Sequence, residues 1–136
     1  MDDILKKASN KELSDFERTY GKPLPKSLLE FYVENGYGII SNNPERPQRL
    51  LSPYEMLDFI EGTYEFAYVD YRSFYQSIEK IGLVFMEYSQ NMFFWIGTEN
   101  DNFGKIYYYN YLVSNSLEEL IDMIHKGIRP TQNIRA

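Results

Sequence analysis

Five carboxylates occur between Arg49 and Arg72, a window that contains no other basic residue. They are Glu55, Asp58, Glu61, Glu65 and Asp70. The chemistry that such a run offers is electrostatic attraction of cationic groups. The acidic run forms either a solvated face that keeps the protein soluble or a docking surface for a basic partner.

Tyrosines accompany the acids. Tyr64, Tyr68, Tyr71 and Tyr75 follow one another closely along the chain. They belong either to core and rim packing or to an aromatic recognition surface, since tyrosine is enriched in protein interfaces. The hypothesis that these residues bind a partner gives a candidate face, which we assign to Glu55, Asp58, Glu61, Tyr64, Glu65, Tyr68 and Asp70.

Candidates for catalysis or metal binding are few. His125, the only histidine, lies on the last turn of a predicted helix and has no evident partner base or further metal ligands. Residues 99–104 resemble a calcium loop only in part, because Phe103 occupies a ligand position and no Glu closes the loop. The chain also lacks cysteine, which excludes thiolate nucleophiles and cysteine-based metal sites. We therefore predict no catalytic residue, metal or cofactor, and keep a small hydrolase with paired carboxylates as a third hypothesis.

Length and composition predict one folded domain over residues 1–136, with a core of about residues 9–127 and a frayed tail from residue 128. The net charge of −6 argues against nucleic acid as a partner, because binding to phosphates depends on Lys and Arg. No stretch has the length and apolar character of a signal peptide or membrane span, so we expect a cytoplasmic protein that does not bind a membrane.

Helix signals recur along the chain. Capping boxes occur at Ser9 with Glu12, Ser52 with Glu55, and Ser116 with Glu119. Pro25 favours the first position of a further helix that ends at Asn35-Gly36, while Gly21, Gly62 and Gly127 end the three capped helices. Residues 63–80 suit strand or helix, and their apolar spacing favours a helix from about Asp70.

Strand signals dominate the second half. Residues 82–88, 92–96 and 105–109 predict a three-stranded meander, and the near-continuous apolar run from Phe93 to Ile96 indicates a central strand covered on both faces. Short strands are also expected at Ile39-Ile40 and Leu50-Leu51, and the polar stretch from Ser41 to Arg49 has the composition of a loop.

Two blocks of this pattern resemble the SUKH superfamily of Smi/Knr-like domains. The first, from Leu13 to Gly38, contains Phe16-Glu17, Tyr20-Gly21, Leu24-Pro25, Phe31 and Asn35-Gly36 at matching positions. The second, from Ile81 to Ile124, contains the apolar strands, Gly104-Lys105-Ile106-Tyr107 and the closing Ser116-Leu117-Glu118-Glu119-Leu120. The chain departs from the family pattern at the turn Ser89-Gln90-Asn91, where Asp-Gly is common.

The resemblance implies an α+β fold in which a curved, mainly antiparallel sheet packs against about four helices. It also implies a binding protein without catalytic residues: bacterial members are mostly immunity proteins that neutralise a cognate toxin, often a nuclease, and fungal members regulate cell-wall synthesis. Our leading hypothesis is an immunity protein whose acidic face occludes a basic toxin domain. The alternative is a regulatory or scaffold module that binds proteins but no toxin.

Overall fold

The computed structural model describes residues 3–40 and 48–131. Its helices are α1 (Asn10–Tyr20), α2 (Lys26–Glu34), α3 (Pro53–Glu61), α4 (Tyr71–Ile78) and α5 (Leu117–His125). Its strands are β1 (Ile4–Lys6), β2 (Tyr37–Ile40), β3 (Gln48–Leu50), β4 (Gly82–Ser89), β5 (Met92–Gly97), β6 (Ile106–Tyr108) and β7 (Tyr111–Ser114). A 3₁₀ turn, Tyr64–Phe66, lies between α3 and α4.

Within the described ranges, the seven strands form one sheet in which each strand pairs antiparallel with the next along the chain. Helices α1 and α2 connect β1 to β2, and α3 and α4 connect β3 to β4. The predicted α+β class with an antiparallel sheet is therefore confirmed. The sequence predicts neither edge strand, β1 nor β7.

Local capping explains where the helices begin. In α1 and α3, the serine before the helix and the glutamate three residues later bond each other's backbone N–H groups, as predicted. At α5 only half of the predicted box forms, because Ser116 accepts from the Glu119 N–H without a reciprocal bond. Pro25 is the residue before α2 instead of its first residue. The predicted helix from about Asp70 begins at Tyr71.

Strand β5 is interior to the sheet and covered on both faces, as its apolar run predicts. Each residue from Phe93 to Ile96 is at most 3% exposed, and alternate side chains of a strand point to opposite faces. Phe93 is in ring contact with Phe59 of α3, at 5.0 Å between centroids, while Phe94 stacks on Tyr88 at 4.8 Å. The buried side chains of helices and strands form one continuous cluster.

The prediction of a loop from Ser41 to Arg49 is wrong at its end, since Gln48 and Arg49 belong to β3. Gln48 pairs with Ile40 of β2, and Arg49 pairs with both β2 and β4. Residues 41–47 lie outside the described residues, and so do residues 132–136 of the predicted frayed tail. No helix in the described part of the chain is long and apolar enough to cross a membrane.

A glycine in β2 allows the edge strand β1 to approach. Gly38 pairs with Leu5, has a φ of 130°, and leaves no room for a Cβ beside the carbonyl oxygen of Ile4. Gly21, at the end of α1, also has a positive φ of 93°, but a Cβ there would meet no atom within 4 Å. A side chain at Gly38 would therefore cause both backbone strain and steric overlap, whereas a side chain at Gly21 would cause backbone strain alone.

We predict that Gly38→Ala lowers the free energy of unfolding by about 3 kcal/mol, because strain and overlap act together. Gly21→Ala, the matched control, is expected to lower it by about 1 kcal/mol through strain alone. Urea denaturation of both variants checks this. Equal losses would show that β1 moves aside at little expense.

Candidate partner-binding face

All seven residues predicted to bind a partner lie on α3 or on the segment that joins it to α4. Glu55, Asp58 and Glu61 belong to α3. The others belong to residues 62–70, which we call the tyrosine loop. The window found in the sequence thus corresponds to one helix and the loop that follows it.

The tyrosine loop is anchored in the core by Phe66. This side chain is 2% exposed, and its ring centroid lies 5.4 Å from that of Phe59 and 6.0 Å from that of Phe93. At the start of the loop, the Thr63 N–H donates to the Asp58 carbonyl oxygen at 3.0 Å. Anchored at its start and its middle, the loop presents the residues between them in a fixed arrangement.

Arg49 forms a second, polar anchor. From β3, its guanidinium reaches three carboxylates: Nη1 lies 3.0 Å from Glu55 Oε2, and Nη2 lies 3.0 Å from Glu87 Oε1. Both Nη atoms also contact the Glu65 carboxylate, at 3.1 and 3.4 Å. Burial lowers the pKa of Arg49, but the hydrogen bond that its guanidinium donates to Glu65 and the three negative charges outweigh burial and raise it. We call these four residues the Arg49 cluster.

The Arg49 cluster joins four elements that are distant in sequence. Glu55 belongs to the first turn of α3, Glu65 to the tyrosine loop and Glu87 to β4. The fork of a guanidinium suits several carboxylates at once, which a lysine ammonium does less well. The cluster therefore holds the tyrosine loop against the sheet.

Arg72, the basic residue at the other end of the window, also turns inward. Its Nε donates to the carbonyl oxygen of Phe59 at 2.7 Å, and its Nη2 donates to that of Ile60 at 3.0 Å. These carbonyls lie in the last turn of α3, which has no internal donors for them. Arg72 thus stabilises the end of α3.

Because both arginines point inward, part of the acidic run is not neutralised. Glu61 and Asp70 are exposed and form no ion pair with any described residue. Asp58 is half-buried: burial raises the pKa of its carboxyl, a hydrogen bond from Thr63 lowers it, and the charges of Glu61 and Glu65 raise it further, for a net increase. A cationic group placed here would relieve this repulsion.

The four tyrosines divide into two pairs. Tyr71 and Tyr75 of α4 are 3% and 2% exposed; the Tyr71 hydroxyl accepts from the Tyr109 N–H at 2.8 Å, and the Tyr75 hydroxyl donates to the Gly82 carbonyl at 3.3 Å. Tyr64 and Tyr68, by contrast, are 84% and 98% exposed. Core packing accounts for the first pair, and the second pair lies on the surface beside the acids.

The candidate face is separate from two grooves in the surface of the molecule. Its seven residues line neither of two open grooves, of about 260 and 320 Å³, that lie beside α1 and between α2 and α5. Among the described residues, no group of three or more His, Cys, Asp or Glu side chains is arranged to hold a metal ion. His125, to which the sequence analysis gives no role, pairs with Asp3: its Nε2 lies 2.9 Å from Asp3 Oδ2.

Comparison with known proteins shows which family this α+β fold belongs to. The fold is that of a Smi/Knr-like domain, and the model of the SMI1 / KNR4 family (SUKH-1) matches residues 7–123. The chain therefore belongs to the SMI1/KNR4 family. It is 30% identical over 116 residues to a protein of Bacillus subtilis (strain 168) named Immunity protein YxxD, covering 85% of this chain and 79% of that protein. No solved structure matches the chain.

For the Arg49 cluster, we predict that Arg49→Gln lowers the free energy of unfolding by about 1–2 kcal/mol, a range reduced for partial exposure of the ion pairs. Arg49→Lys keeps the charge and loses the fork, so an intermediate loss is expected. Glu87→Gln removes one of three carboxylates and serves as the control, with little change. Urea denaturation measures all three, and a Lys variant as stable as the parent would show that charge alone suffices.

We predict that replacing the Asp58 carboxylate with a neutral amide stabilises the fold, and that the size of this gain depends on pH. The pKa of this carboxyl is raised in the folded state, so its contribution to stability falls as pH rises through the ordinary carboxyl range, about 4. Asp58→Asn keeps an acceptor for Thr63 and should raise the melting temperature at pH 7 but not at about pH 3. Asp101→Asn, at an exposed site outside the face, is the control. An equal gain at both pH values would contradict the role of charge.

Proposed function

We propose that this chain is an immunity protein, which binds and neutralises a cognate toxin protein without catalysing a reaction. The relative from Bacillus subtilis carries the name of an immunity protein, and the two sequences align over most of both chains. The observation that carries the proposal from the molecule itself is the arrangement on α3 and the tyrosine loop: unneutralised carboxylates beside two exposed tyrosines on an anchored backbone.

The partner that this surface suits is a basic protein domain. Exposed carboxylates attract a basic surface over a distance and raise the rate of association, while aromatic side chains contribute short-range contact energy. A nuclease toxin presents a basic cleft to the phosphates of its substrate, so a nuclease is the toxin class that we propose. An acidic face would compete with phosphate for that cleft. We propose that this protein meets the toxin in the cytoplasm.

The direct test is protection of cells by co-expression with the product of the neighbouring gene, which the proposal expects to be a toxin. The parent protein is expected to restore growth and to bind the purified toxin domain. If it does neither, the proposal of an immunity protein is wrong, and a regulatory module that binds other proteins becomes the better interpretation.

The face itself is tested by charge reversal. We predict that Glu61→Lys with Asp70→Lys weakens binding to that toxin domain at least about 10-fold, and that the loss shrinks as salt is added. Both residues are exposed, so the fold should tolerate the change. Glu79→Lys with Asp101→Lys is the matched control, since it makes the same change in net charge at exposed sites outside the face. Equal weakening by both pairs would mean that only net charge matters.

A further inference from the structure

Three non-glycine residues in the described part of the chain have a positive φ: Tyr64 at 55°, Asn91 at 61° and Tyr109 at 52°. This left-handed conformation is unfavourable for residues with a Cβ, although asparagine tolerates it better than most. Asn91 lies in the tight turn between β4 and β5, where such a conformation is common. The two tyrosines need another explanation.

For Tyr109, the fold supplies one. Its ring centroid lies 4.7 Å from that of Tyr71 and 5.0 Å from that of Phe74, so the ring is part of an aromatic cluster. Its backbone is bound on both sides: the N–H donates to the Tyr71 hydroxyl, and the carbonyl accepts from Trp95 Nε1, each at 2.8 Å. The contacts of Tyr109 offset the strain of its backbone.

Tyr64 has no such compensation. Its side chain is 84% exposed and makes no ring contact or hydrogen bond with any residue that the structure describes. Its carbonyl oxygen accepts from the Ala67 N–H at 3.2 Å, a bond that any residue type would make. A glycine at this position would keep that bond and remove the strain. The fold therefore gives no reason for a tyrosine here.

Neighbouring residues hold this unfavourable conformation in place. The Thr63 N–H is bound to α3, Glu65 is bound by Arg49, and Phe66 is buried against the sheet. Between these fixed points the ring of Tyr64 projects outward with little freedom of its backbone. Strained residues of this kind persist where the surroundings enforce them, and they concentrate at functional sites.

We propose that Tyr64 is the central contact residue of the partner-binding face and that its strained backbone presents the ring to a lysine or arginine side chain of the partner. This inference rests on the proposed function. An aromatic ring in an acidic stretch suits a cationic side chain, which can lie over the ring face while its charge pairs with Glu61, a carboxylate without an ion pair among the described residues. Since the loop is already ordered, little conformational entropy is lost when the partner binds.

The test compares Tyr64→Gly with Tyr109→Gly and uses as the probe the toxin domain against which the parent protein protects cells. Tyr64→Gly relieves strain and loses no contact within the fold, so its melting temperature should equal or exceed that of the parent. The same variant should bind the toxin domain at least about 10-fold more weakly, mainly through faster dissociation. Tyr109→Gly should melt at a lower temperature than the parent, because its ring contacts are lost.

Tyr64→Phe separates the ring from the hydroxyl and is expected to bind within about 3-fold of the parent, because the cation contacts the ring face. Binding of Tyr64→Gly as tight as the parent's would overturn the inference, and so would a fall in melting temperature as large as that of Tyr109→Gly. If the parent itself does not bind the toxin domain, the proposed function fails and this inference fails with it. Parent binding with an unaffected Tyr64→Gly rejects this inference alone.

Discussion

The aromatic contacts of Phe93 fix the whole connection between β3 and β4. Its ring lies 5.0 to 6.0 Å, between centroids, from Phe59 of α3, Phe66 of the tyrosine loop and Tyr71 of α4. One strand residue thus positions a helix, a loop and a second helix, and every residue of the candidate face lies on those elements or next to them. A buried phenylalanine cannot move without opening a cavity, so the three segments that pack on Phe93 are held in place at Phe59, Phe66 and Tyr71.

Arg49 is a polar anchor beside this apolar one, and it also affects the charge of the face. It neutralises part of the charge of Glu55, Glu65 and Glu87 and leaves the cluster with more negative than positive groups. Arg72 is directed to the carbonyls of α3, and among the described residues it forms no ion pair with Glu61. The acidic character of the face therefore results from the direction of two arginines as much as from the number of acids.

Local signals predicted much of this fold, and contacts distant in sequence account for the rest. The starts of α1 and α3 follow from side chains three residues apart, and the buried strand from Phe93 to Ile96 follows from its own composition. The Arg49 cluster was not predictable in this way, because it depends on the pairing of Arg49 with Glu87, 38 residues further on. Strand β1 likewise exists only through its pairing with β2. The buried pair Tyr71 and Tyr75 did carry a usable signal, since both share a helical stripe with Ile78.

Several unfavourable features of this structure occur in one short stretch of chain. Asp58 keeps a carboxylate that burial and neighbouring charges disfavour, Tyr64 has a strained backbone, and Tyr68 is almost fully exposed. Each could be relieved by one substitution without disturbing Phe66 or Arg49, so the fold does not require them. Sequences depart from local rules mainly where function demands it. The buried residues of the stretch, Phe66 among them, hold it to the core, while Tyr64 and Tyr68 remain exposed and make no ring contact within the described residues, so these outer side chains are the ones that are free to serve the proposed contact with a partner.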